Sequence, residues 1–185
     1  MEVETYHQTG TRILGGLWVG LAVVGTLMAV SDGLEQEDVP WLGGFVLTAV
    51  LSWTALIRPQ VRLTTDHLVL RNMLETITIP LVAVEVVRVG RVMAVRAGER
   101  RFVSPAVSRP LRDVARGRTG SGHRDTVHLA DFLEERVRTR ADEARTRTGV
   151  AGFGAEAPDV RRQLAWLEIG LAALSVLAIV VGRLA

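Results

Sequence analysis

Three apolar runs, each close to the thickness of a bilayer's hydrocarbon core, constrain this chain more than any other feature. The first, Ile13 to Val30, has 18 residues and no charge. The second, Trp41 to Ile57, has 17 and is also uncharged. The third, Leu164 to Val181, has 18 and one carboxylate, Glu168. At ~1.5 Å of rise per residue an 18-residue helix is ~27 Å long, against ~30 Å of hydrocarbon. Buried helices of a soluble protein would need polar sequence to cover them, and 185 residues leave too little. A mean hydropathy of +0.25 beside 23% charged residues requires charge and apolarity to be segregated along the chain. The expectation is an integral membrane protein with transmembrane helices over 13–30, 41–57 and 164–182.

The leader Met1 to Arg12 carries Glu2 and Glu4 and a single Arg. A signal peptide has a basic leader and an apolar stretch of about 7–15 residues, so the first run reads as an anchor. Ala29-Val30-Ser31 loosely resembles a cleavage site and keeps the other reading open. The hairpin Ser31 to Pro40 holds Asp32, Glu35, Glu37 and Asp38 and no Arg, whereas residues 58–163 hold 20 Arg against 13 Asp and Glu, a formal +7. Arg58 and Arg62 follow the second run; Arg161 and Arg162 precede the third. Arg-rich segments stay on the cytoplasmic side. The N-terminus and middle segment are therefore expected inside a multi-pass plasma (inner) membrane protein, with the acidic hairpin and the tail at Arg183 outside.

Gly16 and Gly20 stand at GxxxG spacing in the first run, with Gly25 further on and Gly43 and Gly44 opening the second. Small residues let helix backbones approach closely in lipid. The pair serves a dimer face (a homo-oligomer contact), or packing of the first two helices as a hairpin within one chain, or stands there by chance, since Gly is common in membrane helices. Glu168 lies about one turn from the cytoplasmic end of its helix. It can pair with Arg161 or Arg162, reach the interface, or mark a proton path. Thr26, Thr48, Ser52 and Thr54 are the polar groups of the other two runs, a poor lining for transport.

From Val61 the period shortens to β-branched runs divided by turn signals. Strands are expected at Val61 to Thr64, Leu68 to Asn72, Thr76 to Ile79 (stopped by Pro80), Val84 to Val89, Val92 to Ala97 and Arg100 to Ser104. Links this short imply antiparallel neighbours in a small sheet or open barrel. Arg109 to Arg124 is rich in Arg and Gly and reads as a loop. A helix follows, with Asp125 as N-cap and Leu129, Phe132, Leu133, Val137, Ala141 and Ala144 as one apolar stripe. Pairs Glu134–Arg138, Arg138–Asp142 and Glu143–Arg147 would lace its other face. The resulting organisation is a helical hairpin over 1–57, a cytoplasmic domain over 58–147, a linker over 148–163 and a third membrane helix over 164–182.

The chain has no Cys, which excludes thiolate chemistry and disulfides. No nucleotide-binding fingerprint and no Gly-x-Ser-x-Gly elbow is present. His123, Asp125, His128 and Asp131 are the one metal-like grouping, and their spacing also suits a polar helix face. The Arg-rich loop lacks the interleaved aromatics that stack on nucleic acid. The residues point away from an enzyme and call for no cofactor, metal or nucleic acid.

Arg58-Pro59, Val61-Arg62-Leu63, Leu68-Val69-Leu70-Arg71-Asn72, Ile79-Pro80, Val84 to Gly90, and a last strand followed by an amphipathic helix together resemble the pleckstrin-homology-like (PH) domains of actinobacterial membrane proteins. The resemblance covers residues 58–147 and the flanking helices; Leu81 stands where members often carry Trp after the Ile-Pro pair. It implies an α+β membrane protein: three transmembrane helices with an inserted, partly open antiparallel PH-like β-barrel plugged by its C-terminal helix. It also implies ligand binding. Eukaryotic relatives hold phosphoinositide headgroups with basic residues on the first two strands and their loop; Arg62 and Arg71 occupy those strands here, while the loop Thr64 to His67 has no basic residue. Close to a membrane, Arg58, Arg62 and Arg71 would each gain about 1 kcal/mol from anionic lipid; a solvated sheet face is the other reading. The expected function is a membrane-anchored binding or scaffolding module at the cytoplasmic face, touching a protein partner or anionic lipid headgroups. The alternative is a structural accessory subunit of a membrane complex, assembled through its helices.

Overall fold

The computed structural model describes residues 3–31, 33, 36–90, 92–107, 124–149 and 160–184, with the backbone alone for Glu37 and for 124–129. The chain forms two compact units. One is Met1–Gln8 with Pro59–Gln163; the other is Thr9–Arg58 with Leu164–Ala185.

The first unit is built on two antiparallel sheets. All six strands expected from the alternation are present: β2 (Gln60–Leu63), β3 (His67–Arg71), β4 (Glu75–Pro80), β5 (Val84–Val89), β6 (Met93–Ala97) and β7 (Arg100–Ser104). Two further strands join them, β1 (Glu4–Tyr6) and β8 (Arg161–Leu164). One sheet runs β1-β2-β3-β4-β8 and the other β5-β6-β7. The strand period of two sends alternate side chains inward. Val61 lies opposite Leu70 and Leu63 opposite Leu68, and these face Ile77 and Ile79 of β4. Val87, Val89, Met93, Val95 and Phe102 complete the core from the second sheet. Each such buried side chain contributes roughly 1.5–3 kcal/mol of transfer free energy.

The expected barrel is not closed: among the described residues the sheets share a core but do not pair into a continuous ring. The helix α3 (Arg124–Thr148) packs on that core through Ala130, Leu133, Val137, Ala141 and Ala144, all buried. Small alanines at most of these positions let the helix approach closely. Phe132, expected in the stripe, is instead 56% exposed. It sits about 100° around the helix from Leu133, and its ring tilts against Tyr6 at 6.3 Å. Leu129 and the Asp125 cap lie outside the described side chains. The i,i+4 pairs expected on α3 give way to i,i+3 pairs, Glu135–Arg138, Arg140–Glu143 and Asp142–Arg145. Arg145 and Glu134 turn to the β5 edge: the Arg145 guanidinium donates to the carbonyls of Val82 and Val84, and the Val89 N–H donates to Glu134 at 3.3 Å. An open strand edge thus finds partners on a helix. Opposite this, the Asn72 amide donates to the Val103 carbonyl of β7 at 3.0 Å, and the Arg162 guanidinium lies 5.4 Å from the Phe102 ring centre.

The second unit holds three helices long and apolar enough to cross a membrane: α1 (Thr9–Ser31), α2 (Val39–Ser52) with the π turn Trp53–Ile57 that extends it, and α4 (Trp166–Leu184). Helix α2 packs against both α1 and α4. The contacts depend on absent side chains. A Cβ at Gly25 would lie 2.6 Å from the Phe45 ring, and one at Gly43 would lie 2.8 Å from Ile179 and 3.0 Å from the Ser175 carbonyl. Hydroxyls of Thr26, Thr48, Thr54 and Ser175 each donate to a carbonyl of their own helix, so none is left bare among apolar groups. In chain order, one or two residues separate each of these helices from a strand of the five-stranded sheet: His7 and Gln8 after β1, Arg58 and Pro59 before β2, Ala165 after β8.

Candidate functional site

Alternation that buries Val61 and Leu63 sends Gln60 and Arg62 to the outer face of β2, and Val69 and Arg71 to the outer face of β3. The register sets Gln60 opposite Arg71 and Arg62 opposite Val69. With its amide oxygen directed at both guanidinium groups, Gln60 accepts from Arg62 Nε at 3.1 Å, Arg62 Nη2 at 3.0 Å and Arg71 Nη1 at 3.2 Å. A neutral acceptor therefore holds two cations side by side, and neither meets a carboxylate among the described residues. Arg62 is exposed and Arg71 half-buried. Threonines continue the surface, with Thr5 paired to Arg62, Thr76 to Arg71 and Thr78 to Val69. An anion placed here would meet two flat donor forks without first displacing an acidic side chain.

The adjoining β2–β3 turn is committed elsewhere. The Thr64 hydroxyl donates to the His67 carbonyl and accepts from the His67 N–H. Arg147 of α3 donates to the Thr65 carbonyl at 2.9 Å and lies 3.4 Å from Asp66. Sequence reasoning found Arg62 and Arg71 but missed Gln60, although its place two residues before Arg62 on the same face was a readable signal.

Arg58 does not join that pair. It belongs to the second unit, is 8% exposed, and its Nε lies 3.1 Å from Glu168 Oε1. Its N–H closes the π turn on the Trp53 carbonyl at 2.8 Å. This corrects the partner expected for Glu168. Arg161 and Arg162 were expected to reach it across one or two helical turns, but they lie on the extended strand β8, where helical spacing does not apply. Gly16 and Gly20 meet nothing within 4 Å of where a Cβ would stand; Gly15 and Gly25 make the approaches to Leu56, Ile57 and Phe45 instead.

Strand β1 is pinned to α3 by a second charged group. Glu4 accepts from Arg136 Nη2 at 2.5 Å and from its Nε at 3.2 Å, takes the Tyr6 hydroxyl at 2.6 Å, and lies 3.4 Å from Arg140. Hydrogen bonds from Arg136, then from Tyr6, hold the Glu4 carboxyl down at about 2. Burial first, and the hydrogen bond to Glu4 second, push the Tyr6 phenol up to about 12. The arrangement fastens a strand and leaves the carboxylate fully engaged.

No grouping of metal-ligating side chains occurs among the described residues. His123 and the side chains of Asp125 and His128 lie outside them. Comparison with family models, with characterised proteins and with solved structures finds no match, so the functional reading rests on the residues themselves.

Proposed function

We propose that this chain is a membrane-anchored binding and scaffolding module of PH-like type, its β-rich unit on the cytoplasmic side, with Arg62 and Arg71 facing anionic lipid headgroups. The observation that carries this reading is the Gln60-bridged pair of guanidinium groups, with no carboxylate beside it among the described residues. Three helices fit for a membrane and the surplus of Arg over residues 58–163 support the anchoring and the orientation. Each cation near an anionic surface is worth about 1 kcal/mol. The full chain in neutral-lipid nanodiscs should then recruit phosphatidylglycerol vesicles, less so at higher salt. Arg62→Ala with Arg71→Ala should weaken recruitment; unchanged recruitment sinks the lipid reading.

A second reading, a structural subunit that assembles with protein partners or with copies of itself in the membrane, is favoured by the open positions of Gly16 and Gly20. Cross-linking in native membranes from positions beside these glycines tests it. Absence of any self-contact or partner band counts against it.

A further inference from the structure

The three-stranded sheet has its own outer face, turned away from the shared core and separate from Arg62 and Arg71. Its register builds two rows across the strands. One row is Val86, Arg96 and Arg101; the other is Arg88, Ala94 and Val103. Arg88, Arg96 and Arg101 are all exposed, and Val86 and Val103 stand 42% and 41% exposed between them. Arg96 and Arg101 are directly opposed. Like charges in that position destabilise a sheet. The relief is incomplete: Glu85 lies 3.7 Å from Arg96, and the Arg96 Nε also donates to the Gly98 carbonyl. Arg88 and Arg101 have no ion-pair partner among the described residues.

We propose that this face docks an acidic segment of a partner polypeptide. Among the described residues, three guanidinium forks against one carboxylate leave the surface short of negative charge. Carboxylates satisfy such forks two hydrogen bonds at a time. The valines decide the class of partner. Short β-branched side chains set among arginines reach less far into hydrocarbon than Trp, Phe or Leu would. They do offer dry contact to apolar side chains that alternate with acidic ones along a polypeptide. Interfaces between proteins are enriched in Arg and combine an apolar centre with a polar rim, whereas an anionic bilayer surface attracts such a face through charge.

The test uses the full chain in neutral-lipid nanodiscs and a fluorescein-labelled peptide of alternating glutamate and valine, read by anisotropy. The wild-type chain should bind it, and the matched peptide with Gln for Glu should bind at least about tenfold more weakly, as expected where charge complementarity supplies recognition. Arg88→Glu with Arg101→Glu should abolish binding and create binding to an arginine–valine peptide. The milder Arg88→Gln with Arg101→Gln should lose the glutamate peptide without that gain. Arg62→Ala with Arg71→Ala should leave peptide binding intact, which separates this proposal from the lipid reading. No wild-type binding, equal binding of the Gln peptide, or binding indifferent to Arg88 and Arg101 overturns it. So does loss of phosphatidylglycerol-vesicle recruitment in the Arg88 and Arg101 variants with peptide binding unaltered, because that outcome assigns the face to a bilayer.

Discussion

Helix α3 and helix α2 both meet their neighbours through small residues, for different physical reasons. Beneath α3, alanines bring a helix down onto a sheet, and exclusion of water from Leu133, Val137 and the strand side chains supplies the drive. Helix α2, once placed in the bilayer proposed above, has apolar surroundings on the outside as well, so removal from water cannot select its partners there. Close backbone approach at Gly43 and Gly25 does, through van der Waals contact, with an ion pair added where Arg58 meets Glu168. The lesson is that composition alone does not tell a small residue under a helix on a sheet from one between apolar helices; what the opposite face touches does.

The largest expected effect falls on the water-excluding side. Leu133→Ala should cost the first unit about 3 kcal/mol, from lost transfer energy and a residual cavity, read by denaturant unfolding of the purified chain. A cost below 1 kcal/mol would show that α3 is not packed on the core. Arg58→Met comes next, at about 3 kcal/mol or slightly less, because it strands Glu168 in a poorly solvated setting. Adding Glu168→Leu should recover most of the loss, and failure to recover it would mean that Arg58 matters for another reason. Gly43→Leu should cost about 2 kcal/mol by overpacking, while Gly44→Leu, with open space around it, should cost close to nothing. Equal effects at 43 and 44 would break the comparison, since only one of them depends on close approach.

The smallest effect is at the edge. Glu4→Gln should loosen β1 by about 1 kcal/mol, seen as faster amide exchange at residues 4–6. The pH dependence has a definite sign. A carboxyl held at about 2 against an ordinary 4.5 contributes stability that is present above pH 4.5 and fades as pH falls toward 2. Tyr6, raised from 10 to about 12, contributes stability present below pH 10 and lost as pH climbs toward 12. Exchange at β1 that accelerates between pH 7 and 5 would contradict the Glu4 geometry.

Local pattern made β2 to β7 readable, because short apolar runs cut by turn residues declare the strands, and in β2, β3 and β4 alternating Ile, Leu and Val also declare the inner face. Strands β1 and β8 stayed hidden for the converse reason. Glu4-Thr5-Tyr6 and Arg161-Arg162-Gln163-Leu164 carry no such alternation, and they are extended because a distant strand lends them hydrogen bonds. The α3 stripe was legible at Leu133, Val137, Ala141 and Ala144. It failed at Phe132, where a large apolar residue follows an aromatic neighbour, Tyr6, rather than the core. Arg62 and Arg71 could be placed on one face from strand period alone. Their approach through Gln60 depends on the hairpin register, and the pairing of Glu168 with Arg58 depends on how α2 ends, which no spacing rule contains.

Because β8 is made last among the strands, the five-stranded sheet has a birth order. During synthesis α1 and α2 are complete long before Leu164 leaves the ribosome, so β4 waits with its outer edge unsatisfied while α3 and everything before β8 are translated. Excised pieces such as residues 58–147 would keep that immature state permanently, lacking both border strands, and would be prone to stick to one another.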